Sequence, residues 1–546
     1  MLKRSLLVRQ AVFYWVQVLR DADSTLIVKS TVGDNSTLNI GTGTATITAS
    51  IDSSQSSKAS GLNGGFIAAG FNDASSTSDN VITSSLGNNV KVNAGTLSIN
   101  SGGLDENLAE AVAGSGGAFV GSASSAETTS KNETVASIGS GSATRNIDVD
   151  TLNLIADHKT EFNSTVDSTV VSIVGASGAK ADNTSTSDIN VSIGQGMNIS
   201  AETIDINAIN RTRKSTDGHV DVVSASGGLL DGAAAHSESY VYNDTDINIA
   251  ENVFIETRQG GTVGAFNVEA FNDVVLYDTT KMDSGGAVAL VNAESFIYND
   301  KNDADITIAD RAKLVSADDM TLEAKTSAIA DTEVITKTYG LAGAAAGESA
   351  SRIKTSNNVS LSGARLESDE TIILRAGYNN DLRADAETRL YNRTAIPVET
   401  DPDADATIEQ DNQINVGVYG HGAATEPTDS VSDIQIKRAA IASVKDIHLE
   451  AGDGKHVTRG YGRGTDLYRE FIAKAAELFG ADISLDITGG STKDNSLYDR
   501  FSCTNLNSIR ICVFIVNDYN CVNSACFILY SQLKGIKKIF HIIGVF

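Results

Sequence analysis

Two groups of aspartates have the spacing that best suits catalysis or ion binding. Asp300, Asp303 and Asp305 form one group, and a second group lies at residues 401–405. Enzymes that cleave polysaccharides use such carboxylates as general acid and as base or nucleophile, beside aromatic platforms for the sugar rings. The chain has one tryptophan and 6 % aromatic residues. We therefore interpret both groups as solvated corner residues.

The second group also has the alternate spacing of a calcium loop. Asp401, Asp403 and Asp405 match its first three ligand positions. Ala406 stands where the loop needs glycine, and Asn412 stands where it needs a bidentate glutamate. The segment is therefore not an EF-hand. The three prolines of the chain lie near it and predict a loop that leaves the main fold.

The remaining reactive residues match no known site template. His448 and His456 are the closest pair of histidines, but they fall on different predicted elements. The glycines of Gly460–Gly464 lack the Lys-Ser/Thr ending of a phosphate loop. The cysteine spacing fits no zinc motif; the four are Cys503, Cys512, Cys521 and Cys526. We predict no catalytic, cofactor-binding or metal-binding residues, no cofactor and no enzymatic activity.

The elements around these residues follow a recurring apolar pattern. Apolar pairs recur every six to eight residues, with Asp, Asn, Gly or Ala between them, which predicts three short strands joined by tight corners. Three strands make a rung of about 20 residues, and stacked rungs make a parallel β-helix, or β-solenoid. The first residues of the clearest copies are Ile189, Met197, Ile204; Ile306, Leu314, Met320; Val359, Leu366, Ile372; and Ile434, Ile441, Ile447.

We divide the chain into four parts on this pattern. Residues 1–24 form an N-terminal extension, non-native or with a weak likeness to a signal peptide, and residues 25–455 form the repetitive all-β solenoid. Residues 456–500 hold one short helical insertion, at Thr465–Gly480, and the last solenoid strands. Residues 501–546 form a cysteine-containing tail, for which a small module and a frameshifted or disordered segment are the alternatives.

Net charge narrows the range of partners. The chain carries a formal charge of −27, which disfavours nucleic acid and anionic lipid because phosphate is repelled. No apolar stretch is long enough for a membrane span. The body before the tail contains no cysteine, which suits bacterial secretion.

Segments rich in glycine and alanine lie between the apolar triplets. Small side chains permit close approach between surfaces, so these segments suit packing of one chain on another. The alternative is a thin section of the core. The segments are Gly116–Gly121, Val170–Ala179, Val220–Ala235, Gly285–Ala293 and Gly340–Gly347.

Three features together resemble one protein family. They are the long repeats, the acidic cysteine-free body and the segment GYGRGTDLYREFIAKAAELFGADISLDITGG from Gly460. The chain resembles a fragment of the very large bacterial filamentous surface adhesins, of the haemagglutinin-like and leukotoxin-family type. The resemblance implies a secreted or outer-membrane-associated β-helix with a role in virulence. It also implies a glycan or protein ligand on a host or bacterial cell, and an outer-membrane secretion partner.

We therefore expect a structural adhesion module that binds through an extended, repetitive polar surface. The alternatives are a β-helix carbohydrate-active enzyme, either lyase or hydrolase, and a truncated fragment without a role of its own. An enzyme would concentrate aromatic and basic residues on one face, and an adhesin would spread polar residues evenly. Three carboxylates around one arginine in a groove would favour the enzyme.

Overall fold

The protein is all-β, and most of its strands run parallel in one large sheet. A computed structural model describes residues 13–142, 146–258, 266–417, 440–443, 446–452, 455–461, 502–506, 509–515, 526–533 and 536–543. Within these residues there is no helix.

Eighteen strands belong to the large sheet. They are β1 (Phe13–Val32), β2 (Thr37–Asn39), β3 (Thr44–Leu86), β4 (Lys91–Ile138), β5 (Ile147–Ile193), β6 (Asn198–Ala201), β7 (Thr203–Lys214), β8 (Val222–Ile249), β9 (Phe254–Thr257), β10 (Phe266–Ile308), β11 (Lys313–Ser316), β12 (Met320–Leu361), β13 (Arg365–Ser368), β14 (Ile372–Ala376), β15 (Asp381–Val416), β16 (Ala440–Ser443), β17 (Ile447–Ala451) and β18 (Lys455–Tyr461).

Strand register defines a repeat much longer than the predicted rung. Thr44 of β3 pairs with Thr96 of β4, 52 positions later, and Ile204 of β7 pairs with Phe266 of β10, 62 positions later. A later pairing, between Ile372 and Ile447, spans 75 positions. The prediction that strands stack every 20 residues was therefore wrong. We call the chain between in-register positions a repeat.

The predicted apolar triplets form the base of each repeat. Ile189, Met197 and Ile204 are fully buried in one continuous core cluster. The triplets that begin at Ile306 and Val359 lie in the same cluster, stacked above them. Within a triplet, alternate residues point inward, so Ile306 is buried and Thr307 is half-exposed. In the last triplet, Ile447 is exposed, and Ile434 lies outside the described residues.

Tight corners join the base strands because selected residues adopt a left-handed backbone. Asn35, Asn89 and Asn252 have φ values of 57°, 54° and 57°. Asparagine tolerates this region because its short side chain bonds locally. Backbone hydrogen bonds also stack the corners: Asn35 donates to Asn88 at 2.7 Å, and Asn89 donates to Ser140 at 2.7 Å.

The rest of each repeat is a two-layered arm that extends from the base. In residues 96–138, the chain runs outward and then returns over itself. Asn107 of the outgoing half donates to the Thr129 carbonyl of the returning half at 2.8 Å, and Ser101 donates to the Val135 carbonyl at 2.6 Å. Small and polar side chains fill the narrow space between the layers. Asparagine ladders cross the repeats there, with Asn80 donating to Asn132 at 2.9 Å.

Each arm turns at a tip that most repeats build from glycines. Ladder pairing skips one position there, so Gly65 pairs with Gly117 and Ile67 with Phe119. A Cβ atom at Gly117 would collide with the carbonyl oxygen of Gly65, and one at Gly228 would lie 2.6 Å from the Ser172 carbonyl oxygen. Backbones stack too closely at the tip for a side chain, which accounts for the recurring Gly-Gly pairs.

Near both ends of the chain, the observed strands can be compared with the predicted divisions. Strand β1 crosses the expected boundary at residue 24, and its residues from Phe13 pair in register with β3. The predicted helix Thr465–Gly480 lies outside the described residues. In the tail, β19 (Ser502–Leu506), β20 (Ile509–Ile515), β21 (Cys526–Leu533) and β22 (Ile536–Ile543) form a separate antiparallel sheet.

Candidate ligand-binding face

Aromatic side chains gather on one outer surface of the arms. We call this surface the return face: the outward side chains on the returning halves of the repeats. Tyr240 lies next to Tyr298 in register, and their ring centroids are 5.2 Å apart. Phe296 stacks on Tyr298 with centroids 5.9 Å apart. Both tyrosines are half-exposed, so their rings are accessible to a ligand.

An arginine lies over this aromatic cluster. The Arg352 guanidinium lies 4.7 Å from the Tyr298 ring centroid, a cation–π distance. Its Nε and Nη2 atoms donate to the two carboxylate oxygens of Asp300 at 2.5 and 2.7 Å. This bidentate pair fixes the guanidinium plane. The cluster therefore presents aromatic rings beside fixed hydrogen-bonding groups.

A histidine and three carboxylates border the same cluster. The His236 ring contacts Phe296 with centroids 5.7 Å apart. His236 Nδ1 lies 2.8 Å from Glu294 Oε2, and Nε2 lies 3.7 Å from Glu238 Oε2. Asp182, on the preceding repeat, pairs in register with Glu238. One group of possible metal ligands occurs in the described part of the chain, and it consists of Asp182, His236 and Glu238.

Acidic rows continue along the return face towards the base. Lys301 lies 2.5 Å from Asp244 and 3.5 Å from Asp303, so it holds two carboxylates. Burial and the neighbouring Asp244 raise the pKa of Asp246 to about 7. Burial and the nearby Asp303 raise the pKa of Asp305 to about 6. Carboxylates two positions apart on one strand, with further carboxylates on the neighbouring strands, thus hold their protons more tightly than isolated ones.

The first predicted aspartate group is not at a corner. Asp300, Asp303 and Asp305 lie inside β10, on the return face, and are half-exposed. The interpretation as solvated corner residues was wrong for them: Asp303 and Asp305 pair in register with both neighbouring repeats, and Asp300 lies at a bulge in the same ladder. Among the described residues, Arg352 forms an ion pair with one carboxylate, that of Asp300.

The second aspartate group lies inside a strand as well. Residues 401–405 belong to β15, which pairs in unbroken register with β12 from Glu399 to Val416. The predicted loop was therefore wrong: Pro402 stands in the strand, opposite Gly347. The carboxylate-bearing residues Asp401, Asp403 and Asp405 are exposed, as solvated residues should be. Asp401 also lines a shallow groove of about 540 Å³ beside Ala233, Leu290 and Ala345.

The other sequence candidates stay apart. His448 lies in β17 and His456 in β18, on separate elements as predicted. Of the segment Gly460–Gly464, the described residues are the first two, at the end of β18. In the tail, Cys503 and Cys512 oppose each other in the backbone register of β19 and β20.

A second surface is apolar and runs along the arm tips. Phe66, Ile173, Leu229 and Leu341 occupy the turn positions of different repeats, and each is more than half exposed. We call this row, with its exposed neighbours, the apolar rim. Phe66 contacts Phe119 of the next repeat edge to face, with centroids 5.8 Å apart. The Gly/Ala-rich segments contribute this rim and the alanine-lined interior beneath it.

A buried ion cluster lies between the layers of the arm. Lys214, Asp221 and Asp278 have fully buried side chains. Lys214 Nζ donates to Asp278 Oδ1 at 2.8 Å and lies 3.6 Å from Asp221 Oδ2. Ser295 also donates to Asp278, at 2.7 Å. Closed off from solvent and internally bonded, the cluster is a structural element of the arm.

Sequence reasoning missed the return-face site because its residues are far apart in the chain. Asp182, Glu238 and Phe296 lie 56 and 58 positions apart along the chain yet are neighbours in register. The available signal was the 53-position step between the triplets that begin at Ile306 and Val359, but the predicted 20-residue rung hid it. Comparison with known proteins adds no assignment, since no family model, curated protein or solved structure matches the chain. The described residues include no helix that is long and apolar enough to cross a membrane.

Proposed function

We propose that the chain is a parallel β-solenoid that serves as a structural adhesion module on a bacterial surface or in a secreted filament. In-register pairing of successive repeats supports the solenoid. Stacked repeats place equivalent side chains in rows, so one surface offers many similar contacts, and many weak contacts add to strong attachment. Aromatic rings gather on one face, as in the enzyme alternative, but the ion pair that Arg352 makes among the described residues is with Asp300 alone. That falls short of the three carboxylates that would favour catalysis, so we propose binding without catalysis.

The aromatic cluster of the return face carries this proposal. Tyr240, Phe296 and Tyr298 gather in two adjacent repeats of an aromatic-poor chain. Aromatic faces provide rigid apolar contact, and the adjacent Arg352 and Asp300 provide fixed polar groups. This combination suits the alternating C–H faces and hydroxyl groups of a sugar. Because the chain carries −27, the ligand is a neutral glycan, since anionic polymers would be repelled.

Affinity electrophoresis in gels that contain mannan, laminarin or galactan tests the proposal. At least one of these neutral polysaccharides should retard the wild-type chain, and Tyr298→Ala and Tyr240→Ala should each reduce that retardation several-fold. Tyr339→Ala removes an exposed tyrosine from the apolar rim instead and should leave it unchanged. Equal retardation of all variants, or none by any of the three polymers, would contradict a glycan site at the cluster.

The apolar rim supports a second candidate function, lateral association of two copies of this chain. The rim is uncharged at Phe66, Ile173, Leu229 and Leu341, so two strongly acidic copies could approach there without opposing carboxylates. From Phe66 to Leu341 the stacked tips span about 24 Å at the usual strand spacing. Such a narrow strip buries less than the roughly 800 Å² per partner of a stable dimer. The association is therefore weak.

Sedimentation velocity over a range of protein concentrations tests the rim. The wild-type sedimentation coefficient should rise with concentration, because association is weak. Leu229→Asp combined with Leu341→Asp should abolish that rise. Leu108→Asp, which charges an exposed leucine on the outgoing half of an arm, should not. A rise that persists in the double variant would place the contact elsewhere.

A further inference from the structure

We propose that Asp182, His236 and Glu238 bind a divalent transition-metal ion on the return face, beside the aromatic cluster. Each residue offers one ligand atom, and these atoms all lie within 4.8 Å of one another. The three residues come from two successive repeats, with His236 and Glu238 on one strand and Asp182 on its neighbour. A single ion between the strands can contact all three.

The histidine is held as metal-binding histidines usually are. Its Nδ1 lies 2.8 Å from Glu294 Oε2, on the next repeat. A carboxylate at Nδ1 keeps the proton on that nitrogen and orients the ring, so that the Nε2 lone pair is available to a metal ion. Nε2 lies 3.7 Å from Glu238 Oε2, too far for a hydrogen bond. An ion between these two atoms would use both.

Each carboxylate has one oxygen engaged and one available. The Tyr240 hydroxyl donates to Glu238 Oε1 at 2.6 Å, which leaves Oε2 on the side of His236. Lys180 Nζ donates to Asp182 Oδ2 at 2.5 Å. Asp182 Oδ1 is buried and has no hydrogen-bond partner. A buried carboxylate oxygen without a partner is costly, and a metal ion would satisfy it.

The donor set selects the class of ion. One imidazole and two carboxylates suit Zn²⁺, Co²⁺ or Ni²⁺, whereas Ca²⁺ and Mg²⁺ prefer oxygen ligands alone. Two carboxylates match the charge of the ion. Three protein ligands leave a coordination position open, and the residues are half-exposed, so that position faces solvent. A donor atom of a ligand on the aromatic cluster could occupy it.

Isothermal titration of the metal-free chain with Zn²⁺ tests the site, and Co²⁺ absorption spectra report its coordination. The wild type should bind one ion at this site, and Co²⁺ should give visible d–d bands that Zn²⁺ abolishes. His236→Ala and Asp182→Asn should each remove that one equivalent and the bands. Glu294→Gln should keep the equivalent but weaken its affinity by about 10- to 100-fold, since it acts by positioning His236.

Two controls separate this site from others. His219→Ala removes a histidine that also lies beside a carboxylate, Asp221, at 3.2 Å, and it should change neither stoichiometry nor spectrum. Circular dichroism and thermal melting without metal should be the same for wild type and His236→Ala. Unchanged Zn²⁺ stoichiometry in both ligand variants, or equal competition by excess Mg²⁺, would overturn the proposal. Neither result depends on glycan binding, so the two proposals can fail separately.

Discussion

The pKa of an ionisable residue in this protein depends on the layer that the residue occupies. Lys214 lies between the two layers of an arm, where burial opposes its charge. The carboxylates of Asp221 and Asp278 outweigh that effect and raise its pKa. Burial likewise opposes ionisation of Asp221, yet Lys214 and the neighbouring hydrogen bonds bring its pKa to about 2. The charges therefore depend on one another.

Replacing Lys214 with methionine should be strongly destabilising. The substitution keeps the apolar stem but leaves two buried aspartates without their cation, which costs about 3–5 kcal/mol of the free energy of unfolding. Urea unfolding monitored by circular dichroism measures this. Lys58→Met is the control, since it breaks an exposed pair with Glu110 and should cost less than about 1 kcal/mol. Similar losses in the two variants would contradict a structural role for the cluster.

The acidic rows make stability depend on pH. Burial and nearby carboxylates raise the pKa of Asp246 to about 7 from its usual value of 3.8. Between these values the folded chain binds the proton more tightly than the unfolded chain, so stability falls as pH rises. Asp246→Asn should therefore raise the melting temperature at pH 8 and change it little at pH 4. An equal shift at both pH values would show that the proton is not involved.

At the scale of elements, the base and the arms obey different physical rules. Base strands are short and apolar, and their corners use residues such as Asn89 that tolerate a left-handed backbone. Arms are long, and their narrow interior accepts small and polar side chains such as Asn132, which is fully hydrogen-bonded across repeats. The tips bring backbones closest together, so glycine stands there.

Adding a methyl group at one tip should separate the stacked backbones. Gly117→Ala places a Cβ atom against the Gly65 carbonyl oxygen, and overpacking of this kind costs about 1–3 kcal/mol. Gly121→Ala, four residues later in the same arm, meets nothing within 4 Å and should be nearly neutral. Chemical unfolding of both variants measures the difference. A neutral Gly117→Ala would mean that the tip can open without loss.

At the scale of the whole molecule, charge is distributed in rows on a strongly acidic body. The rows at Asp246 and Asp305 show that neighbouring repeats bring like charges together. Ion pairs such as Lys301 with Asp244 offset part of this repulsion. A formal charge of −27 leaves a net excess that opposes the compact state.

Salt should therefore stabilise the folded chain near neutral pH. Raising NaCl from 0.01 to 0.1 M shortens the Debye length from about 30 Å to about 10 Å, which screens repulsion between the acidic rows. The melting temperature should rise over this range at pH 8. At pH 4 the rise should be smaller, because many carboxylates are then protonated. A melting temperature that falls with salt at pH 8 would show that ion pairs dominate.

The base of the fold follows from local patterns in the amino-acid sequence. Apolar triplets such as Ile189, Met197 and Ile204 encode three short strands through their spacing, and all three residues are buried. Local information is enough there, because alternation and corner residues act over a few positions. The same local information misplaced the aspartates of β10 and β15 at corners and in a loop.

The length of the repeat and the positions of the arms depend instead on long-range strand pairing. Ile204 pairs with a residue 62 positions later rather than about 20 positions later, because an arm lies between the two strands. Local periodicity does not reveal that arm. That pairing brings Asp182 next to Glu238, and Tyr240 next to Tyr298. The candidate ligand and metal sites exist because the register joins these distant residues. Their chemistry is encoded in residue types, but their proximity is encoded in the fold.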